Sequence, residues 1–258
     1  MLYDKINIQD FVDSEAALEF MKEATKLASS SDLADIGMRL EKKAQLFSEL
    51  LAEDQIHDLS VDEFKLLTDS IFSIKRKAHR ILKHIGIDAF KASLAELLYG
   101  EAGLDIRFNK MSRSLEMLDE SMRFNFISEL MHFSNPQKYW LWTNWIWDSK
   151  KNTGALSLVL NENIDLEAET PGALYLKIGK ASALVNTMGH SIGFSGSAAG
   201  LFGTDVFFAC VYAVYMYTVF RVKLSQEFNR ILPELTELTQ RILGVHKMVN
   251  HNAGVLNG

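Results

Sequence analysis

Glu129 and His132 form an E-x-x-H pair. On a helix, positions three apart share a face, so both side chains can reach one metal ion inside a bundle. Di-iron bundles use that pair twice and add two further glutamates. None of the other six histidines has a glutamate three residues before it, and Asp54 with His57 is the nearest substitute. Half a motif points first to a histidine that closes a helix and donates to a carbonyl. The second reading is a metal site on Glu129 and His132.

Gly189-His-Ser-Ile-Gly193 spells the G-x-S-x-G nucleophile elbow. The elbow works only where a strand turns sharply into a helix and lifts the serine above a parallel sheet. Residues Ala181 to Met188 can be read as that strand, yet the chain before them shows no alternation of strands and helices. Only 67 residues follow Ser191, too few to finish a sheet and deliver an aspartate and a histidine. A glycine-rich connection is the expected reading.

Two further groups suit binding rather than chemistry. Lys75, Arg76, Lys77, His79, Arg80, Lys83 and His84 are the densest basic stretch, on a segment whose other face carries isoleucines. A solvated face near a helix C-terminus explains it, since positive charge is favourable there. The functional reading is an anionic partner, either nucleic acid or an acidic protein surface. All four tryptophans, Trp140, Trp142, Trp145 and Trp147, fall between Tyr139 and Asp148. Tryptophan combines a large apolar body with an N–H that needs an acceptor, and it is enriched among binding hot spots. Their spacing cannot place all four on one helix face, so at least two are expected in the core and the others toward a neighbouring element or partner.

The run Phe126-Ile-Ser-Glu-Leu-Met-His132-Phe-Ser-Asn-Pro136-Gln-Lys-Tyr139-Trp-Leu-Trp142, continued to Asp148, resembles a segment of helical proteins related to the helix-hairpin-helix DNA glycosylases. In those proteins a helix ending in His-Phe is followed by an Asn/Asp-Pro turn, an aromatic pair and an aspartate. Gly86, within Leu82-Lys-His-Ile-Gly-Ile-Asp-Ala-Phe90, supplies half a hairpin signature, with Asp88 where a second glycine belongs. The lysine and aspartate of a glycosylase active site have no assignable counterpart. The resemblance covers about a tenth of the chain. It implies an all-helical fold and an association with nucleic acid rather than glycosylase catalysis.

The elements that must position these residues read as helices. Leu33, Ile36, Leu40, Ala44, Phe47 and Leu51 recur at steps of three and four, with Glu41, Lys42, Lys43 and Glu49 between them. Phe64, Leu67, Ile71, Ile74, Ala78, Ile81 and Ile85 continue the pattern as one helix, with Ser60 and Glu63 as its capping box and Gly86 as its stop. A shorter helix over 14–27 precedes them. Asp88 caps a helix running to Tyr99 and closed by Gly100. Further helices span 104–118 and 122–132, until Pro136 breaks the pattern. Leu156 to Leu160 is a short strand or a turn of helix, and Thr170-Pro171 is a helix start. Five glycines between Gly189 and Gly203 form a loop or a tight turn. Thr204 or Asp205 then caps an apolar helix over 206–220, shorter than the about 20 apolar residues a membrane span needs and so expected in the core. Its polar continuation runs over 223–230 until Pro233 interrupts it. A last helix over 235–243 ends at Gly244, with a loose tail beyond Met248.

Composition bounds the class. Hydrophobic residues make up 48% and charged residues 23% of the 258, as in globular proteins. Three prolines and fifteen glycines argue against a many-turned β protein. A formal charge of −6 counts against a protein that coats phosphate backbones, unless its positive charge is concentrated in a patch. The single cysteine, Cys210, excludes an intrachain disulfide framework and a cysteine zinc cluster, and fits a reducing cytoplasm. The segment Met-Leu-Tyr-Asp-Lys-Ile-Asn lacks the pattern of a signal peptide.

The expectation is therefore an all-α, bundle-like array with a buried apolar helix near the C-terminus. It divides near residue 150 into an amphipathic part ending in the tryptophan segment (1–150) and a more apolar part (151–258), or merges them into one domain. The expected function is a non-catalytic cytoplasmic interaction or assembly protein, without cofactor or membrane insertion, acting on a protein partner or a second copy of itself. Its contact residues are Tyr139, Trp140, Trp142, Trp145, Trp147 and Asp148. One alternative is a nucleic-acid-associated helical protein of glycosylase-like ancestry, using Lys75, Arg76, Arg80 and Lys83. The other is a metal-dependent bundle enzyme using Glu129 and His132.

Overall fold

The computed structural model describes residues 11–162, 164–191, 200–227 and 233–246, with the side chains of 190–191 and 220–227 outside that description. Among the described residues there are ten α-helices and no β-strand. Two isolated bridges, Val12 with Leu160 and Asp148 with Thr153, are the only extended pairings described. The fold is an all-α array.

Helix α1 (Ser14–Leu27) starts where the Asp13 carboxylate accepts hydrogen bonds from the Glu15 and Ala16 amides. Helix α2 (Ser30–Leu50) starts with a capping box between Ser29 and Asp32, and α3 (Val61–Asp69) with the one expected between Ser60 and Glu63. In each box the serine satisfies an orphan amide of the first turn while the acid reaches back to the serine amide. The same bonds hold Asp32 and Glu63 below the usual carboxylate range.

The single long helix expected from Phe64 to Ile85 is instead two short ones. α3 ends at Ser70, whose hydroxyl donates to the Leu67 carbonyl, and residues 71–77 run as successive turns before α4 (Ala78–His84). Bonds from the Ile74 amide to the Ile71 carbonyl and from the Lys77 amide to the Ile74 carbonyl close these turns at three-residue steps. These turns still bury Ile71 and Ile74, in phase with Ala78 at the start of α4, so the apolar spacing cannot reveal the break. Gly86, at φ +76°, is where α4 gives way to α5 (Gly86–Tyr99), which starts two residues before the expected Asp88 cap.

Helix α6 (Leu104–Ser114) is shorter than the expected 104–118. Leu115 and Leu118 are buried from a turn that follows it. Helix α7 (Glu120–Ser134) is the spine of the molecule. Every residue from Phe126 to Phe133 on it is buried, so it has no solvated face along that length. Leu156–Leu158 forms a 3-10 turn. Helix α8 (Pro171–Ser191) begins with proline at its first position, and it includes residues 181–188, which a nucleophile elbow would need as a strand. Helices α9 (Gly203–Glu227) and α10 (Leu235–Ile242) complete the described chain, the latter ended by Gly244 at φ +73°.

Helix α2 packs on α7, α5 and α8 both pack on α6, and α1 and α10 both pack on α9. These contacts tie residues on both sides of position 150 into one apolar core. Gly172 marks the closest approach: a β-carbon there would lie 2.1 Å from the Asp105 carbonyl oxygen, so α8 can sit against α6 only with glycine at this point. Residues 200–219, which include most of α9, are long and apolar enough to cross a membrane, and 56% of that window is buried inside the fold. Val206 to Val211, Ala213 and Val214 all enter the core, as the position of the apolar helix led one to expect.

Candidate functional site

Glu129 and His132 project from α7 into the interior, and each meets a partner from another helix. The Glu129 carboxylate accepts from the Lys43 ammonium of α2 at 2.8 Å. Lys43 is fully buried, sits 4.0 Å from the centre of the Phe133 ring, and reaches the Leu243 carbonyl at 3.5 Å. Carboxylate, ring face and carbonyl together replace the water that a buried ammonium loses. The sequence placed Lys43 among the charged residues between the apolar ones. Yet Leu40, Lys43 and Phe47 are spaced three and four apart, and that phase is the signal that assigns Lys43 to the inner face.

His132 is 3% exposed. Its Nδ1 lies 2.8 Å from the Tyr139 carbonyl oxygen, and its Nε2 lies 3.2 Å from Oδ2 of Asp205, in the first turn of α9. The Nε2 contact has the distance of an ion pair but not the alignment of a linear hydrogen bond. Phe133 and Phe202 meet the imidazole edge-on, at 4.9 and 5.7 Å between ring centres. Burial pulls the imidazole pKa down, but the Asp205 carboxylate and the Tyr139 carbonyl outweigh it and leave it raised above the ordinary 6.5. A neutral imidazole has one N–H and faces two oxygens here, so the geometry itself favours the protonated form. Beside it, the Thr204 hydroxyl donates to the Asn186 side-chain oxygen at 2.7 Å, tying α9 to α8.

Lys43, Glu129, His132 and Asp205 are each more than nine-tenths buried. Their charges are satisfied by one another, which suits cross-bracing of α2, α7 and α9 rather than attack on a substrate. The two residues considered as metal ligands thus have organic partners. Among the described residues, no group of three or more histidine, cysteine, aspartate or glutamate side chains is placed to hold a metal ion. Gly189, His190 and Ser191 lie at the C-terminal end of α8, a helical setting that lacks the strand an elbow requires, and Ile192 and Gly193 lie outside the described residues.

The tryptophan segment divides into inner and outer members. Trp142 is buried, its backbone amide donating to the Ser128 hydroxyl at 2.6 Å and its indole N–H to the Trp147 carbonyl at 3.0 Å. It stacks on Phe124 at 5.2 Å and on Phe108 at 6.1 Å, and Phe108 in turn stacks on Tyr175 at 5.0 Å. Tyr175 donates to the Trp140 carbonyl at 2.8 Å, and burial pushes its phenol pKa up. Trp147 is 8% exposed and borders a surface cleft of about 280 Å³ with Glu120, Phe124, Glu167 and Leu174. Tyr139 is buried and donates to the Leu98 carbonyl at 3.2 Å, while Asp148 turns the chain by accepting from the Lys150 amide at 3.1 Å.

Trp140 and Trp145 remain half-buried. Trp140 lies over Gly179 of α8, where a β-carbon would meet its ring at 3.2 Å. Trp145 meets Tyr212 at 6.4 Å between ring centres, and Tyr212 meets Tyr215 at 6.3 Å. Both tyrosines are half-buried on α9. The three rings form a ladder at the surface, and the tyrosine members carry no sequence signal because α9 has no charged residue between Asp205 and Arg221 to mark an outer face.

The basic stretch lies on the turns after α3 and on α4. Lys75, Arg76 and Lys83 are exposed and Arg80 is half-buried. Lys77 pairs with Asp119 at 3.0 Å, and Lys75 has Asp69 at 3.6 Å. Phe72, three residues before Lys75, is 78% exposed. Its position is out of phase with the buried Ile71, Ile74, Ala78 and Ile81, and that offset was the available signal.

No family model, curated protein or solved structure matches this chain.

Proposed function

We propose that the protein is a non-catalytic helical interaction protein whose contact surface is the aromatic ladder of Trp145, Tyr212 and Tyr215. The single supporting observation is that these three rings remain half-buried in a connected line, while the residues with chemical potential are closed inside the fold. Tyrosine and tryptophan supply large contact area at low conformational cost and dominate binding hot spots. The partner is a protein, or a second copy of this chain, presenting an apolar face with acceptors for the phenol hydroxyls.

The test is affinity isolation from the native host with the wild-type chain and with a Tyr212→Glu/Tyr215→Glu variant whose helical dichroism is unchanged. Stoichiometric recovery of one protein by the wild type, lost in the variant, is the expected result. Equal recovery by both chains removes the ladder from the interface.

A further inference from the structure

A second surface goes beyond that reading. Between Asp69 and Asp88 the chain carries five lysines and arginines and two histidines, with no acidic residue, on a protein of net charge −6. Ile71, Ile74, Ala78 and Ile81 anchor one side of this segment in the core. That anchoring turns Phe72, Lys75, Arg76, His79 and Lys83 outward, all of them exposed. Phe72 is 78% exposed, more than any other large apolar side chain described. An exposed phenylalanine held by a buried neighbour on a turn, with cations following it, is the pairing that single-stranded nucleic acid uses. The cations track phosphates and the ring offers a stacking platform.

We infer that the segment from Phe72 to Lys83 binds single-stranded nucleic acid, with Phe72 stacking on an unpaired base and Arg76 and Lys83 contacting its phosphates. Lys75 and Lys77 are engaged with Asp69 and Asp119 and contribute less. A duplex hides its base faces in its own stack, so it uses the cations but not the ring. An acidic protein surface likewise leaves the Phe72 ring without its π partner.

Fluorescence anisotropy of a labelled oligothymidylate of about twenty nucleotides, longer than a single stacking site, reads this directly. The wild-type chain binds at about 50 mM salt and weakens steeply toward 200 mM. Phe72→Ala, at an exposed position that leaves the core intact, lowers affinity about tenfold or more for the single strand and leaves duplex binding unchanged. Arg76→Ala/Lys83→Ala flattens the slope of log affinity against log salt by about 0.7 for each lost phosphate contact. No binding at low salt overturns the inference, as does a Phe72→Ala variant that binds like the wild type. Competition by polyglutamate as strong as by the single strand also overturns it, and assigns the face to acidic proteins. None of these results bears on Tyr212 or Tyr215, so this surface and the aromatic ladder fail or stand separately.

Discussion

His132 and Asp205 meet at 3.2 Å inside the core, one from the last turn of α7 and one from the first turn of α9. A carboxylate in the first turn of a helix is favoured by the exposed amides there, and a cationic imidazole is favoured near a helix C-terminus. Both helix ends thus support the charges that the pair carries.

This pair makes stability depend on pH in a definite direction. The folded-state pKa of His132 lies above its ordinary 6.5, so folding favours the protonated ring. The contribution is fully present below 6.5 and is lost as pH rises through the folded-state value. The urea midpoint of the wild type should exceed that of Asp205→Asn by more at about pH 6 than at about pH 9. A margin that grows with pH contradicts the assignment.

Lys43 and Glu129 give a complementary test. Glu129→Gln leaves a fully buried ammonium without its anion and should cost about 3–5 kcal/mol in urea unfolding. The paired change Lys43→Met/Glu129→Leu fills the same space without charge and should be near neutral. A double variant as damaged as the single one would mean that the charges matter beyond their mutual compensation.

Two glycines separate close packing from backbone conformation. Gly172→Ala drives a methyl into the Asp105 backbone, where neither helix yields cheaply, and should cost about 3 kcal/mol, with α6 and α8 forced apart. Gly86→Ala meets nothing within 4 Å and suffers only from its positive φ, about 1–2 kcal/mol. Thermal unfolding of both variants should rank them in that order.

Cys210 should be inert to thiol reagents in the native protein. It is 1% exposed, and burial pushes its thiol up to about 12. Modification by a disulfide reagent should therefore proceed at the rate of unfolding, accelerating with denaturant. Fast labelling without denaturant would show that the environment of α9 opens locally.

Much of the array was legible because amphipathic periodicity and caps are local signals: Ser60 with Glu63, Tyr99 with Gly100 and Pro171 each appear at or next to the expected boundary. The break between α3 and α4 was not, since three-residue turns bury the same isoleucines as a helix does. Residues 181–188 fit strand or helix in the sequence because so short a window fits either period, and only their place within α8 makes them helical. Glu129 and His132 were singled out by spacing. Their partners Lys43 and Asp205 lie 86 and 73 positions away, a distance in sequence that only the packing of α2, α7 and α9 closes.

The contact role of the aromatic ladder is tested most directly by acrylamide quenching of indole fluorescence, on the free protein and on the complex recovered from the host. In the free protein Trp140 and Trp145 should form a quenchable class from which Trp145→Phe removes the Trp145 share, while Trp142 and Trp147 stay shielded; in the complex the Trp145 share should be shielded too. Trp145 quenched equally in both states, or all four indoles shielded in the free chain, would contradict a binding surface at this face.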